Sequence, residues 1–402
     1  MRRPLSERER GIVELAATLA DAFAAHAAEH DRDGTFPYEN YDEMRAAGYL
    51  GLTVPEELGG VGASLWELIL AQERLAEGDG STALAVNMHV SPIGQLASLW
   101  RATRDERLAD VLSRAADGRL VYASMSAEPG DPILMSSTTT ARRVDGGYRV
   151  SGKKIFGTES AVCTEFSTRA LDEEAHRVIF FRLPRDADGI RFKDTWDTMG
   201  MRATLSNDFV LEDVFVPDDA VFHSYAENHF DGTMLKTVWG WAMPTFGAVY
   251  LGIAAGAVAF AREQVQARGR HHDPQVQQLF AEMEVLLETA RAVLHRHAQE
   301  MHSGSLFGVP VQDGMARAVL TKYVCTNNAV QIVDRALHVV GGAGYFKRFP
   351  LERMYRDVRA GPIMPYSNLD AHDLFGRNAL GIEIAPAVPL PADQLPEADV
   401  VT

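Results

Sequence analysis

Hydrophobic positions first recur at helical spacing in residues 8–30, where Ile12, Leu15, Leu19, Ala22, Phe23 and Ala27 form one apolar stripe. A short helix over Tyr41–Tyr49 follows, ending at Gly48 and Gly51. The Pro- and Gly-rich run TVPEELGGVGAS (Thr53–Ser64) breaks the period and reads as a loop. Leu65–Ala76, Ser81–Trp100 and Arg104–Ala116 are helical by composition, so residues 1–119 read as an N-terminal helical domain.

The pattern changes at Leu120. Leu120–Ser126, Thr138–Ala141, Tyr148–Val150, Val178–Leu183, Phe209–Leu211 and Val214–Val216 are short, β-branched or aromatic, and separated by Gly or Asp turns. They predict an antiparallel sheet or small barrel over residues 120–230. Strands and helices do not alternate, which argues against a Rossmann or TIM architecture. Helical patterning resumes near Trp239. Phe246, Val249, Ile253, Val258 and Phe260 are interleaved with Gly247, Gly252, Ala255 and Gly256, the pattern of a helix packed closely against neighbours. Gln275–His302 and Met315–Val340 continue as long amphipathic helices, giving a C-terminal helical bundle over 231–385. A Pro- and Ala-rich tail, 386–402, is expected to fray.

Composition narrows the function classes. The 402 residues suit several sub-domains around a large core, and 46% hydrophobic with 23% charged residues is ordinary for a folded chain. A formal net charge of -16 leaves no basic face for a nucleic-acid backbone, although a local cationic pocket could still hold an anionic ligand. Cys163 and Cys325 are the only cysteines, so neither a disulfide framework nor a thiolate metal site is expected. The N-terminus carries Glu7, Glu9 and Glu14 within its apolar stripe and reads as a helix rather than a signal peptide. No run reaches ~18 uninterrupted apolar residues, so no membrane span is expected and a cytoplasmic enzyme is the default.

Six motifs occur in order: TVPEELGGVGAS, LAEGDGSTALAVNMH (Leu75–His89), SAEPG (Ser126–Gly130), SGKKIFGT (Ser151–Thr158), TMGMRATLSND (Thr198–Asp208) and LEDVFVP (Leu211–Pro217). A seventh stretch joins a helix to GGAGY (Gly341–Tyr345) and then to PLERMYRD (Pro350–Asp357). Together they resemble the acyl-CoA dehydrogenase family over nearly the whole chain. The resemblance implies a mainly α fold with a central β-barrel-like domain and a C-terminal four-helix bundle. It also implies a non-covalent flavin, FAD in preference to FMN, and a homotetramer or homodimer in which FAD reaches a neighbouring subunit.

Carried over by position, Ser124, Met125, Ser126 and Ala127 would lie along the isoalloxazine ring, with Phe156 in place of a flanking Trp, next to Gly157. Thr158 would hydrogen-bond near the flavin N5. His338, Gly341 and Gly342 would approach the partner's cofactor; GGAGY follows a helix and lacks GxGxxG spacing, so a Rossmann fingerprint is excluded. Two departures stand out. The usual EPGAGSD is EPGDPIL here, and AREQVQARGRHHDP lacks the Arg-x-Phe-Gly that contacts the neighbour's FAD, leaving Arg268 or Arg270 in a charged, solvated loop.

The third departure concerns chemistry. Where the family carries Tyr-Glu-Gly-Thr with a catalytic Glu, this chain has Met364-Pro365-Tyr366-Ser367, and the alternative location, GWAMPTFGAVYLGIA, has no carboxylate. Three readings follow. Asp370 or His372 acts as base in α,β-dehydrogenation of an acyl-CoA or carrier-bound thioester, passing electrons to an electron-transfer flavoprotein. Or the chain is a two-component monooxygenase of the same fold (the dibenzothiophene monooxygenase type), taking reduced flavin from a reductase and oxygenating a small aromatic or amine near His89 and Ser126. Or it is a catalytically silent flavin- or acyl-binding subunit. The motifs place dehydrogenation first. In each case the substrate would enter beside Trp239, Trp241, Met243, Phe246 and Tyr250, whose bulk suggests a tight or aromatic pocket. No metal is expected.

Overall fold

The computed structural model describes residues 4–130 and 135–388. The DPIL segment of EPGDPIL and residues 389–402 of the tail lie outside them. Helices α1 (Glu7–Ala24) and α2 (Ala27–Asp33) split the expected 8–30 helix at Ala25–His26, and α3 covers Tyr38–Ala46. Then come α4 (Leu65–Ala76), α5 (Gly80–Thr103) and α6 (Glu106–Ala116). Both α1 and α4 begin with a capping box, Ser6 with Glu9 and Ser64 with Glu67, which satisfies donors that a helix start leaves open.

The sheet comprises β1 (Tyr122–Ser124), β2 (Thr140–Val144), β3 (Gly147–Gly157), β4 (Glu165–Asp172), β5 (Arg177–Pro184), β6 (Ile190–Phe192), β7 (Asn207–Pro217) and β8 (Val221–Ala226). Its order is β6-β7-β3-β2-β4-β5-β8, with β1 beside β4. Two pairings, β1 with β4 and β2 with β4, are parallel, correcting the all-antiparallel expectation. The two runs Phe209–Leu211 and Val214–Val216 are one strand, kinked at Asp213, which takes a φ of 52°. Strand β9 (Phe230–Asp231) pairs with β10 (Ala387–Val388), so the first tail residues are tied to the body instead of fraying.

A single turn, α7 (Gly232–Met234), passes through a π-helical stretch, Leu235–Trp239, into α8 (Gly240–Ala267). Helices α9 (Pro274–His302), α10 (Val311–Val340), α11 (Pro350–Asp357) and α12 (Asn368–Ala379) complete the chain. The helix from Gly232 to Ala267 is long and apolar enough to cross a membrane, but 78% of its most apolar window is buried within the protein. It is the central helix of the core, touching α4, α5, α9 and α10.

The glycines of α8 explain how closely it packs. A Cβ on Gly252 would lie 2.1 Å from the Glu73 carbonyl oxygen in α4, a backbone atom that cannot rotate away. We predict that Gly252→Ala forces the two helices apart and destabilises the fold by ~2 kcal/mol. A lower urea midpoint at unchanged slope would confirm this, whereas wild-type stability would show that the helices have room to spare.

Candidate active site

Two adjoining cavities lie where the sheet, α5, α8 and the loop after α11 converge. The larger, about 400 Å³, is lined by Ser124, Ser126, Ala127, Phe156, Thr158, Trp196, Met199, Tyr250, Arg356, Arg359 and Ile363 among others. The smaller, about 240 Å³, is lined by Asn87, Ser91, Gln95, Arg169, Trp239, Met243, Tyr366 and Asp370. Met88, Ser124, Ser126, Ala127, Phe246 and Pro365 face both.

The sheet edge of the larger cavity is shaped by a register shift between Lys154 and Gly157. There Phe156 takes a φ of 53°, a left-handed geometry that turns its exposed ring into an edge-on contact with Trp196, 5.9 Å between centroids. Thr158 begins a chain of hydroxyls. Thr204 Oγ1 donates to the Met201 carbonyl at 2.9 Å, leaving Ser206 Oγ to donate to Thr204 and Thr158 Oγ1 to donate to Ser206, both at 2.7 Å. Thr158 Oγ1 then offers lone pairs as an acceptor on the cavity wall. Tyr250 also lines the cavity, and its buried hydroxyl has no hydrogen-bond partner. Beneath the strand end, Glu128 accepts from Ser137 Oγ at 2.6 Å and from the Thr138 N–H at 2.8 Å, and pairs with Lys154 and Arg169. Burial opposes its ionisation, but the two cations override that and hold its carboxyl at about 2.

The loop carrying Pro365 is fixed from two directions. Arg356 grips both oxygens of Asp31 at 2.9 and 2.6 Å and donates to the Met199 carbonyl, while Asp357 Oδ1 accepts the Met201 N–H at 2.6 Å. Burial pushes Asp357 up to about 7, against the charge of Arg353. From below, Lys322 Nζ donates to the carbonyls of Met364 and Tyr366, at 2.8 and 2.7 Å, bracketing Pro365. Burial pushes this lysine down to about 7, against the attraction of Asp370. Tyr366 packs on Trp239 with ring centroids 4.9 Å apart.

The residues expected from the sequence separate into groups. Ser124, Ser126, Ala127, Phe156 and Thr158 line the larger cavity; Met125 and Gly157 are buried behind it. Trp239, Met243 and Phe246 line the smaller one. Tyr250 belongs to the larger cavity instead, and Trp241 packs toward Gly94 of α5 and lines neither. His338, Gly341 and Gly342 sit at the far end of α10, away from both. Arg268 and Arg270 lie in an exposed turn, as expected, and also donate to the carbonyls of Val340 and Val339 at the end of α10 beside Gly341.

The base candidates fare differently. Asp370 lines the smaller cavity, yet Ser367 Oγ donates to its carboxylate at 2.6 Å. His372 is exposed, bonded through Nε2 to the Tyr323 hydroxyl at 2.9 Å, and lines neither cavity. His89 is fully buried with both ring nitrogens used: Nδ1 accepts the Tyr122 N–H at 2.9 Å, so Nε2 donates to the Leu50 carbonyl at 3.0 Å. Both histidine placements depart from the expectation, because a lone His in a sequence does not reveal what surrounds it. Among the described lining residues there is no histidine, and Asp370 is the one carboxylate. Sequence reasoning missed Lys322, whose signal was a lysine on the buried stripe of α10, and Asn87 and Ser91 on α5.

Models of the acyl-CoA dehydrogenase N-terminal, middle and C-terminal domains match residues 6–119, 125–214 and 239–365. The chain belongs to the acyl-CoA dehydrogenase family of flavoenzyme oxidoreductases. It is 34% identical to the putative acyl-CoA dehydrogenase YdbM of Bacillus subtilis, over 89% of this chain and 93% of the relative. It is 32% identical to the L-evernosamine nitrososynthase of a Micromonospora species, over 95% and 93%. The structure of KijD3 with FMN and a dTDP-linked amino keto sugar aligns at a TM-score of 0.85 and 31% identity, covering 94% of this chain and 95% of that one.

His89 gives a stability test. Burial pushes its folded-state pKa down to about 4, against its backbone hydrogen bonds, while an unfolded histidine titrates near its ordinary 6.5. The unfolded chain therefore takes up the proton first, and stability falls as pH drops from about 6.5 to about 4, by about 3 kcal/mol for this residue. His89→Gln should lose that share of the acid sensitivity. Urea midpoints at neutral and mildly acid pH that shift equally in wild type and variant would refute it.

Proposed function

We propose that this protein is a flavin-dependent oxygenase that places one atom of dioxygen on the nitrogen of a small amine, using flavin reduced by a separate reductase. The observation that carries this reading is Pro365. It lines both cavities, at the position that the motif resemblance gives the family's catalytic carboxylate, and no other described lining residue offers an unencumbered base. Asp370, the remaining acid, already accepts a hydrogen bond from Ser367 Oγ at 2.6 Å. Removing the weakly acidic α-proton of a thioester needs such a base; an ammonium loses its proton to water or buffer, and the free amine then carries the lone pair that oxygen transfer uses. The nitrososynthase similarity, spanning 95% of the chain, supports the same choice. This reverses the order that the motifs alone suggest.

The larger cavity fits a flavin ring. Phe156 and Trp196 wall one side, Ser124, Ser126 and Thr158 supply polar contacts, and Tyr250 lines the cavity with them. Bound flavin would supply the two electrons, so that one oxygen atom ends on nitrogen as a hydroxylamine and the other leaves as water. Thr158, as an acceptor, suits an N–H donor on the ring. The apolar walls of Trp239, Met243 and Phe246 exclude bulk water from the reacting groups. FAD is preferred over FMN because Arg268, Arg270, Gly341 and Gly342 form a corner suited to the nucleotide's far end when chains associate as a dimer or tetramer.

Thioester dehydrogenation is the second reading, favoured by the 34% identity to YdbM and by the presence of Asp370 in the smaller cavity. Two assays separate them. With reductase, NADH and air, the oxygenase reading predicts a hydroxylamine from an amino-sugar substrate. Anaerobic mixing with an acyl-thioester panel should leave the flavin oxidised. Rapid bleaching in the second assay would overturn the proposal, and silence in both would indicate a binding subunit. Asp370→Asn sharpens the contrast: oxygenation should change by less than about tenfold, whereas a catalytic base would be worth ~100-fold or more.

A further inference from the structure

Helix α5 forms one wall of the smaller cavity and brings polar residues to a lining that also includes the apolar side chains of Trp239, Met243 and Phe246. Asn87, Ser91 and Gln95 follow one another at intervals of four, so they share one face of the helix. The first two are 0% and 1% exposed.

Their hydrogen bonds define what they offer. The Ala83 carbonyl can only accept, so the Gln72 amide nitrogen is turned to it, at 3.1 Å. The same nitrogen donates to Asn87 Oδ1 at 2.9 Å, and Gln72 Oε1 accepts from the Tyr49 hydroxyl at 2.7 Å. This network fixes the Asn87 amide with its oxygen toward Gln72 and leaves Nδ2 without a partner. Ser91 Oγ also lacks one. That is unusual for its own helix: Ser98 and Thr103 donate to the carbonyls four residues back, both at 3.0 Å, as interior helical hydroxyls usually do. Two buried donors without a partner in the fold thus sit one turn apart on residues that line the cavity.

We infer that Asn87 and Ser91 are specificity-determining residues that receive a hydrogen-bond-accepting oxygen of the substrate, so that the smaller cavity takes an oxygenated amine (an amino ether, amino ketone or amino sugar) and disfavours a hydrocarbon chain. A purely aliphatic group would seal both donors away from water unpaired, which costs roughly tenfold or more in affinity. An oxygen atom at the same place satisfies them. The inference rests on the proposed function for the amine and for placing the substrate in this cavity.

The test is calorimetric titration of the flavin-loaded protein with cyclohexylamine and with its ring-oxygen analogue, an aminotetrahydropyran. Wild type should bind the oxygen analogue about tenfold or more tightly. Ser91→Ala removes a hydroxyl with no partner in the fold, so it should fold normally, lose most of that preference, and hold cyclohexylamine more tightly than wild type. Asn87→Leu should lose the preference too. Equal binding of the two probes by wild type, including no binding of either, overturns the inference, as does a preference that survives in both variants. The preference without any N-oxygenation would overturn the oxygenase reading and leave this one standing. N-oxygenation without the preference would do the reverse.

Discussion

The site depends on the junction built by Arg356 and Asp357. Arg356 ties α11 to Asp31 in α2 and to the Met199 carbonyl, while Asp357 takes the N–H of Met201. Arg202, from the same loop, donates to the Asp31 carbonyl at 2.7 Å. Segments from the N-terminal helices, the sheet and the C-terminal helices thus meet in one knot of partly buried charge. Removing one partner of such a pair leaves the other desolvated and uncompensated, typically a loss of ~3–5 kcal/mol when fully buried. Because the larger cavity lies between these same segments, its shape is inherited from the junction. The Lys322 bracket around Pro365 then sets the boundary with the smaller cavity.

On the proposed reading, in which Pro365 takes the place of the family's acid, that bracket explains how the architecture is retained. Lys322 binds backbone carbonyls on either side of position 365 and does not need the side chain there. The loop can therefore keep its course with a proline in place of a carboxylate. Under the proposal, the residue at 365 changes which reaction the cavity favours, while the walls that would hold a flavin ring stay in place. Fold and chemistry are separable here because they rest on different atoms of one loop.

The sequence was most legible where one property decided the outcome. Helix α8 announced its close packing through its glycines, and Pro274–His302 matched the expected Gln275–His302 almost to the residue. Strand β4 was overlooked because it is buried along nearly its whole length and shows no alternation. The parallel pairs of β4 with β1 and β2 have no local signature at all. In the site, the strand-end residues were found through motifs that cover contiguous positions. Asn87, Ser91 and Lys322 were not, since their meaning lies in what surrounds them: one lysine between two carbonyls, two donors facing nothing. His89 and His372 were misplaced for the same reason in reverse.

The central claim is that a flavin ring sits between Phe156 and Thr158 of the sheet and the loop ending at Pro365. Titrating flavin-free protein with FAD and FMN, followed by the quenching of flavin fluorescence, tests it most directly. The account predicts saturation at one flavin per chain, and loss of uptake in Ala127→Trp, which fills the cavity from the strand end without touching the Arg356 junction. A folded wild type that takes up neither flavin, or an Ala127→Trp variant that binds as wild type does, would contradict it.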